Sequence, residues 1–284
     1  MKNFFFFLAI FSPIHLKAQT TVYVDNVTDF FKALGSNRTI VLKPGDYHLE
    51  KIDTTLENAN CNWAMVLFDE IYYDEKTDDY KTLLLPGAEN LTIKSGSREP
   101  VRILTNRKAA SVLAFKSCTN VKLEGIIFGH DVPKSYTDPA DPFVSFCSGE
   151  VLEFMDCNKV EIKSAVLFGC GTRGFLAHRC KDLSVEKTTI TECSYGAFGI
   201  FDTENISFKK CAFVKNTYRW LFEIVNCQNL TVKKSGVYKN TKAEYNEGVV
   251  KMETSENIAL KKFKLNDNDF TSEYFYHGWE NHQP

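Results

Sequence analysis

The sequence predicts an all-β solenoid of about eight coils, each built from three short strands. Three observations predict it. First, an apolar-x-apolar pair recurs along the chain, at Leu91/Ile93, Val121/Leu123, Val160/Ile162, Leu183/Val185, Ile206/Phe208, Leu230/Val232 and Ile258/Leu260. Successive pairs start 30, 39, 23, 23, 24 and 28 residues apart, a base period near 23 with a few insertions. Second, each pair has another eight residues before it (Leu83/Leu85 through Val250/Met252), and from Val121 onward a third five residues after it (Ile126/Phe128 through Phe263/Leu265). Third, small residues recur three positions before the middle pair: Ala88, Cys118, Cys157, Cys180, Thr203, Cys227 and Ser255. Alternation with period two marks strands with one buried face. Three such strands in each short repeat form a coil that stacks on itself, and coils ~4.8 Å apart make a rod of roughly 35–40 Å.

The elements follow in chain order. Residues 1–19 read as a secretory signal peptide, with Lys2 as the positive start, an apolar run from Phe4 to Phe11, and a cleavage zone at Leu16 to Gln19. The run is shorter than the ~20 residues a membrane span needs, and no later stretch reaches that length. An exported protein, secreted or periplasmic, with no membrane insertion after processing is therefore expected. Residues 20–268 form the solenoid, opened by a short capping helix at Asp29 to Leu34 and a first coil in Thr39 to Leu49 (TIVLKPGDYHL). Residues 269–284, with Phe270, Tyr274, Phe275, Tyr276 and Trp279, are expected to cover the strand edges of the last coil.

The corners carry their own periodicity. A second ladder runs Cys147, Cys170, Cys193 and continues as Asn216, Asn240 and Asn268, where stacked amides can bond from coil to coil. Nine cysteines in an exported chain invite a disulfide reading, but seven fall on these repeat positions and Cys211 on an inward strand position, so buried thiols are expected. LFGCGTRG (Leu167 to Gly174) reads as a tight structural return rather than a phosphate loop, because no Lys-Ser/Thr and no helix follow it. The Asn-x-Ser/Thr matches at Asn26, Asn37, Asn90, Asn205 and Asn229 mostly fall at one repeated turn and read as turn residues.

Composition excludes several classes. With 44% hydrophobic residues, 25% charged, 15 Gly and 8 Pro, the chain is neither disordered nor collagen-like. A net charge of -2 gives no overall basic footprint, so nucleic acid is not an expected partner.

The repeat and its opening resemble the right-handed parallel β-helix of the pectate lyase-like superfamily, over about residues 22 to 268. A leucine-rich repeat has a compatible period but one apolar strand pair and usually a helical arc, and three pairs per repeat disfavour it. The resemblance implies that a ligand would lie on the outer face of the strand before the small-residue turn, walled by the preceding loops. Three long loops fall on that edge: Asp69 to Lys81, Gly129 to Glu150 and Asn240 to Gly248. The paired Asp, Gly-His-Gly and Arg-x-Lys pattern of polygalacturonase-like members is not found here, and the groove strands lack the Asp cluster that holds Ca²⁺ in pectate lyases.

The outward positions of those strands give Ala114/Lys116, Glu153/Met155, Leu176/His178, Gly199/Phe201, Glu223/Val225 and Lys251/Glu253, with Arg173, Tyr195, Tyr218, Arg219 and Trp220 just before them. A shallow face of this composition suits sugar rings and hydroxyls, and Tyr195, Phe201, Tyr218, Trp220 and Glu223 are its expected binding residues. Glu153, Arg173, His178 and Arg219 are the catalytic candidates, with His178 as base and an arginine on a uronate. Glycoside hydrolysis needs carboxyls ~5–9.5 Å apart. Glu153 and Glu223 lie three coils apart, about 14 Å, and fail that test. Glu223 and Lys251 stand opposite each other in adjacent coils, placed for an ion pair. A Ca²⁺ ion in the acidic loop, at Asp74, Glu75, Asp78 and Asp79, is the single metal expectation; no other cofactor is expected. Three readings remain: a non-catalytic carbohydrate-binding module, a divergent polysaccharide lyase or glycoside hydrolase, and a structural module whose partner is another protein.

Overall fold

The computed structural model of the protein describes residues 19–67, 70–72, 78–131, 149–169, 171–242 and 248–270. The signal-peptide residues up to 18, Asp74 and Glu75, most of the loop from Gly129, Cys147, Cys170 and the tail beyond Phe270 lie outside them.

Three long sheets run the length of the chain. The middle pairs form a nine-stranded sheet from Thr20–Val24 to Ala259–Lys261, here the first sheet. The pairs that follow form an eight-stranded second sheet from Gly45–His48 to Lys264–Asn266. The pairs that precede form a nine-stranded third sheet ending at Val250–Glu253. Every rung pairs parallel with the next in register, as Val121 with Val160, Val160 with Leu183, and Leu183 with Ile206. Seven coils pass through all three sheets, and Arg38–Leu42 with Gly45–His48 makes a partial coil before them. The expected capping helix is Val27–Ala33; the Asn26 side chain accepts from the Asp29 N–H at its start, and Phe30 and Phe31 are buried on the first coil.

The coil turns through single residues with positive φ. In one coil these are Asn226, Asn229, Lys234 and Lys239, at φ of 54, 58, 54 and 55°. One residue in the left-handed region redirects the strand at each corner, and Asn accepts that conformation more readily than most side chains. Four of the five Asn-x-Ser/Thr asparagines sit at such a corner, and the fifth is the helix cap. The corner asparagines bond along the axis, Asn120 to Asn90 at 2.8 Å, Asn229 to Asn205 at 3.0 Å and Asn257 to Asn229 at 3.1 Å.

Inside, the inward residues stack in columns. Phe198 lies against Phe222 and Phe208 with ring centroids 4.5 and 4.6 Å apart. The small-residue corner is buried throughout, and Cys118, Cys157, Cys180, Thr203 and Cys227 follow one another up it. The thiols point to backbone carbonyls, as Cys118 to Leu85 O at 3.2 Å. All seven described cysteines are unpaired and buried. In the second ladder Asn216 and Asn240 are fully buried, each amide nitrogen donating to the Oδ1 of the next asparagine at 3.0 Å.

The outer face of the third sheet departs from expectation. Asn62–Leu67 and Glu70–Tyr72 form a hairpin that continues this sheet antiparallel from Thr82–Pro86. Ala64 and Val66 pack with Leu84, Ala114 and Met155 in a second, smaller core. The outward positions Leu84, Ala114 and Met155 are therefore buried, in a cluster shared with this hairpin.

Candidate functional site

The half-exposed residues near the third sheet, His178, Tyr195, Phe201, Arg219 and Trp220, lie around Arg173 and its neighbouring coils. Arg173 starts the strand Arg173–His178, and its guanidinium is held between two carboxylates from neighbouring coils. Glu150 accepts from the Arg173 N–H at 2.6 Å and from Nη1 at 3.2 Å. Nη2 donates to Glu223, two coils further on, and Lys251 Nζ donates to the other Glu223 oxygen at 3.2 Å. Two acids and two bases thus alternate across the coils, with no net charge. The arginine and both glutamates are under 10% exposed. Burial pushes the Glu150 carboxyl above its usual range, against the charge of Arg173. Burial alone would lower the Arg173 guanidinium, but the charges of Glu150 and Glu223 outweigh it and the net shift is upward.

The expected open positions divide into two sets. Glu153, Arg173, Tyr218 and Glu223 are buried. Glu153 accepts from Ser111 Oγ at 2.9 Å, and the same oxygen accepts from the Glu150 N–H at 3.2 Å. Tyr218 lies in the core with its hydroxyl on Asp269 at 3.0 Å, because Thr217–Tyr218 is an extra two-residue strand that turns its ring inward. Tyr195, Phe201, Arg219, Trp220 and His178 remain half-exposed. The Tyr195 ring has the Arg173 and Arg219 guanidiniums 4.7 and 5.9 Å from its centroid, and Arg219 donates to its hydroxyl at 3.3 Å. Trp220 lies one rung on and packs over Gly248, where a Cβ would fall 2.3 Å from the indole. His178 is tied at both nitrogens, to Asp202 at 3.0 Å and to Arg179 at 2.9 Å, while Arg179 forks onto Asp156 at 2.7 and 3.2 Å.

Sequence reasoning missed Glu150 and Ser111 as parts of this site, and placed Gly199 on the face without giving it a role. Glu150 stands at the end of a loop, where no periodicity marks it. Gly199 is the outward neighbour of Glu223 on the adjacent strand, and a Cβ there would meet Arg173 Cδ and Nε at 2.9 Å. Among the described residues no group of His, Cys, Asp and Glu is arranged to hold a metal, and Asp79 is exposed. Nor is any helix among them long and apolar enough to cross a membrane.

Residues 144–281 match the family described as right handed beta helix region. The fold is a right-handed parallel β-helix. This is the architecture that the resemblance to the pectate lyase-like superfamily implies. No curated protein matches the chain. Among solved structures, a pectate lyase from Paenibacillus sp. 0602 is similar at 9% identity and a TM-score of 0.45, over 80% of this β-helix chain and 72% of its own. A thermostable pectate lyase is similar at 10% identity and a TM-score of 0.38, over 89% and 80%. A candidate glycosyl hydrolase from Parabacteroides merdae is similar at 11% identity and a TM-score of 0.36, over 80% and 83%.

Proposed function

We propose that this β-helix protein is an exported, non-catalytic module that binds carbohydrate on the open part of its third sheet. The observation that carries the reading is the division of that face. Glu150, Glu153 and Glu223 are withdrawn from solvent, and the rings of Tyr195, Phe201 and Trp220 are left in reach. Glu150 and Glu223 are both bound to Arg173, and Glu153 to Ser111. A retaining or inverting glycosidase needs one carboxyl free to protonate the leaving oxygen and another free to attack or to activate water. Carboxylates paired to a buried guanidinium serve neither role. A lyase reading fares no better, since Arg173 is spent on two glutamates and His178 is held at both ring nitrogens. Tyr195, Phe201 and Trp220, with Arg219 beside them, offer flat apolar surface edged by hydrogen-bond donors, which suits a sugar ring. The apolar run Phe4 to Phe11 supports export.

The experiment is a glycan array on the mature chain, with a reducing-end and 235-nm turnover screen beside it, run with Ca²⁺ and with chelator. Binding that Trp220→Ala weakens, without turnover, is expected. Turnover abolished by Arg173→Ala/His178→Ala would replace this reading with an enzyme. Silence in both assays would turn the search to protein partners.

A further inference from the structure

A second surface lies on the opposite side of the solenoid, at the corner between the first and second sheets. In the last four coils the corner residue is Lys187, Lys210, Lys234 and Lys262, at φ of 52, 57, 54 and 53°. Each is exposed. The same corner in earlier coils is Gly125 and Ser164. The left-handed conformation favours Gly or Asn and gives lysine no advantage. The corner geometry therefore does not account for four lysines in succession. The strand positions just before them add Lys209, Lys233 and Lys261, which stand in register on adjacent strands. The backbone fixes the array: the N–H groups of Lys187, Lys210 and Lys234 donate to the carbonyls of Lys209, Lys233 and Lys261 at 2.9, 3.0 and 2.9 Å. One coil separates successive corner lysines, so the four span about 14 Å along the axis.

We propose that this ridge binds a linear sulfated glycan lying along the solenoid axis. The ridge is a line of cations spaced by the coil rise, and a linear polymer of anions is its complement. Its positions carry lysine rather than arginine. Ammonium groups act as point charges and do not impose the planar two-point geometry by which arginine selects carboxylates. A surface that counts charge favours the chain with most charge per repeat. The net charge of the whole chain is -2, so surfaces beyond the ridge repel a broad polyanion such as duplex DNA, while a single-file glycan meets the ridge alone. Glu186 already shows how an anion fares there. Its carboxylate lies 3.4 Å from Lys209. Partial desolvation works against its ionised form, and Lys209, Lys187 and Lys210 together still hold it below the usual carboxylate range.

The test is heparin binding by the full mature chain in low salt. Lys187→Asn/Lys210→Asn/Lys234→Asn/Lys262→Asn removes four charges and keeps residues that tolerate positive φ. The wild type is expected to bind, with affinity falling as salt rises. The quadruple variant should bind about tenfold more weakly or worse. The matching lysine-to-arginine variant keeps the charge and should still bind, and circular dichroism should report intact fold in both. Trp220→Ala should leave heparin binding unchanged, which separates this ridge from the aromatic face. No binding by the wild type, unchanged binding by the quadruple variant, equal binding of desulfated heparin, or equal competition by duplex DNA would each overturn the proposal.

Discussion

Arg173 reaches Glu223, two coils along the solenoid, by lying across Gly199 of the coil between them. The crossing is open because Gly199 has no side chain. A Cβ there would stand 2.9 Å from Arg173 Cδ and Nε, within contact of the guanidinium stem. Gly199→Ala is expected to push the arginine aside and cost about 1–3 kcal/mol. Arg173→Met should cost more, about 3–5 kcal/mol, because it leaves Glu150 buried without a counter-charge and Glu223 with Lys251 alone. Urea unfolding of the two variants measures both. If adding Glu150→Gln/Glu223→Gln to Arg173→Met restores most of the loss, the cost lies in the orphaned carboxylates.

The coils were legible because inward residues alternate at fixed register, and the small residues recurring at one corner, from Ala88 to Ser255, reinforced the reading. The openness of the outer face was not. Met155 and Ala114 alternate outward as Phe201 does, yet they are buried in a cluster with Ala64 and Val66. Nothing local to Met155 announces a hairpin nearly a hundred residues earlier. Tyr218 failed for a different reason. Its place just before Phe222–Val225 puts it on the groove in the sequence reading, but it lies in the short Thr217–Tyr218 strand with its ring buried. The Glu223–Lys251 pair was legible, since adjacent rungs in one column need only register. Arg173 with Glu150 required the path of a side chain along the axis, which periodicity does not carry.

Asn240 tests the buried amide ladder. Its Nδ2 donates to Phe213 O at 2.9 Å and to Asn268 Oδ1 at 3.0 Å, and its Oδ1 accepts from the Asn216 N–H at 2.9 Å. Asn240→Ala strands these partners in a dry interior, at about 1–3 kcal/mol for a buried group left unsatisfied. Asn229→Gly, on the exposed ladder at φ 58°, should cost less, since glycine accepts the corner and water replaces the lost bond. Equal losses in chemical denaturation would refute the distinction between the two ladders.

The thiols should be inert in the folded protein. Burial raises the Cys61 thiol to about 12, and those of Cys211 and Cys227 to about 11. Alkylation requires the thiolate and an approach path, and these have neither at neutral pH. Brief iodoacetamide treatment followed by peptide mapping should find Cys61, Cys118, Cys157, Cys180, Cys193, Cys211 and Cys227 unmodified until denaturant is added. Native labelling at Cys61, Cys211 or Cys227 would mean that the coil opens locally at that rung.

His130 gives the fold a defined sensitivity to acid. It ends Ile127–His130, is 2% exposed, and its Nε2 lies 2.8 Å from Ala110 O, so the neutral ring donates there. Burial lowers its pKa from 6.5 to about 4, against the pull of that carbonyl. A depressed folded-state value means that the unfolded chain takes up the proton first. The contribution of the neutral ring is therefore complete above pH ~6.5 and is lost as the pH falls toward ~4, a loss of about 3 kcal/mol. Glu150 acts in the opposite sense, since its raised carboxyl gains a proton more readily in the folded state as the solution is acidified. Comparing variants at one site cancels that contribution. His130→Gln keeps a donor for Ala110 O and does not titrate. Urea midpoints at pH 7 and pH 4 should show the wild type losing about 3 kcal/mol more than His130→Gln. Equal losses would assign the acid sensitivity to other groups and show that His130 charges without opening the coil.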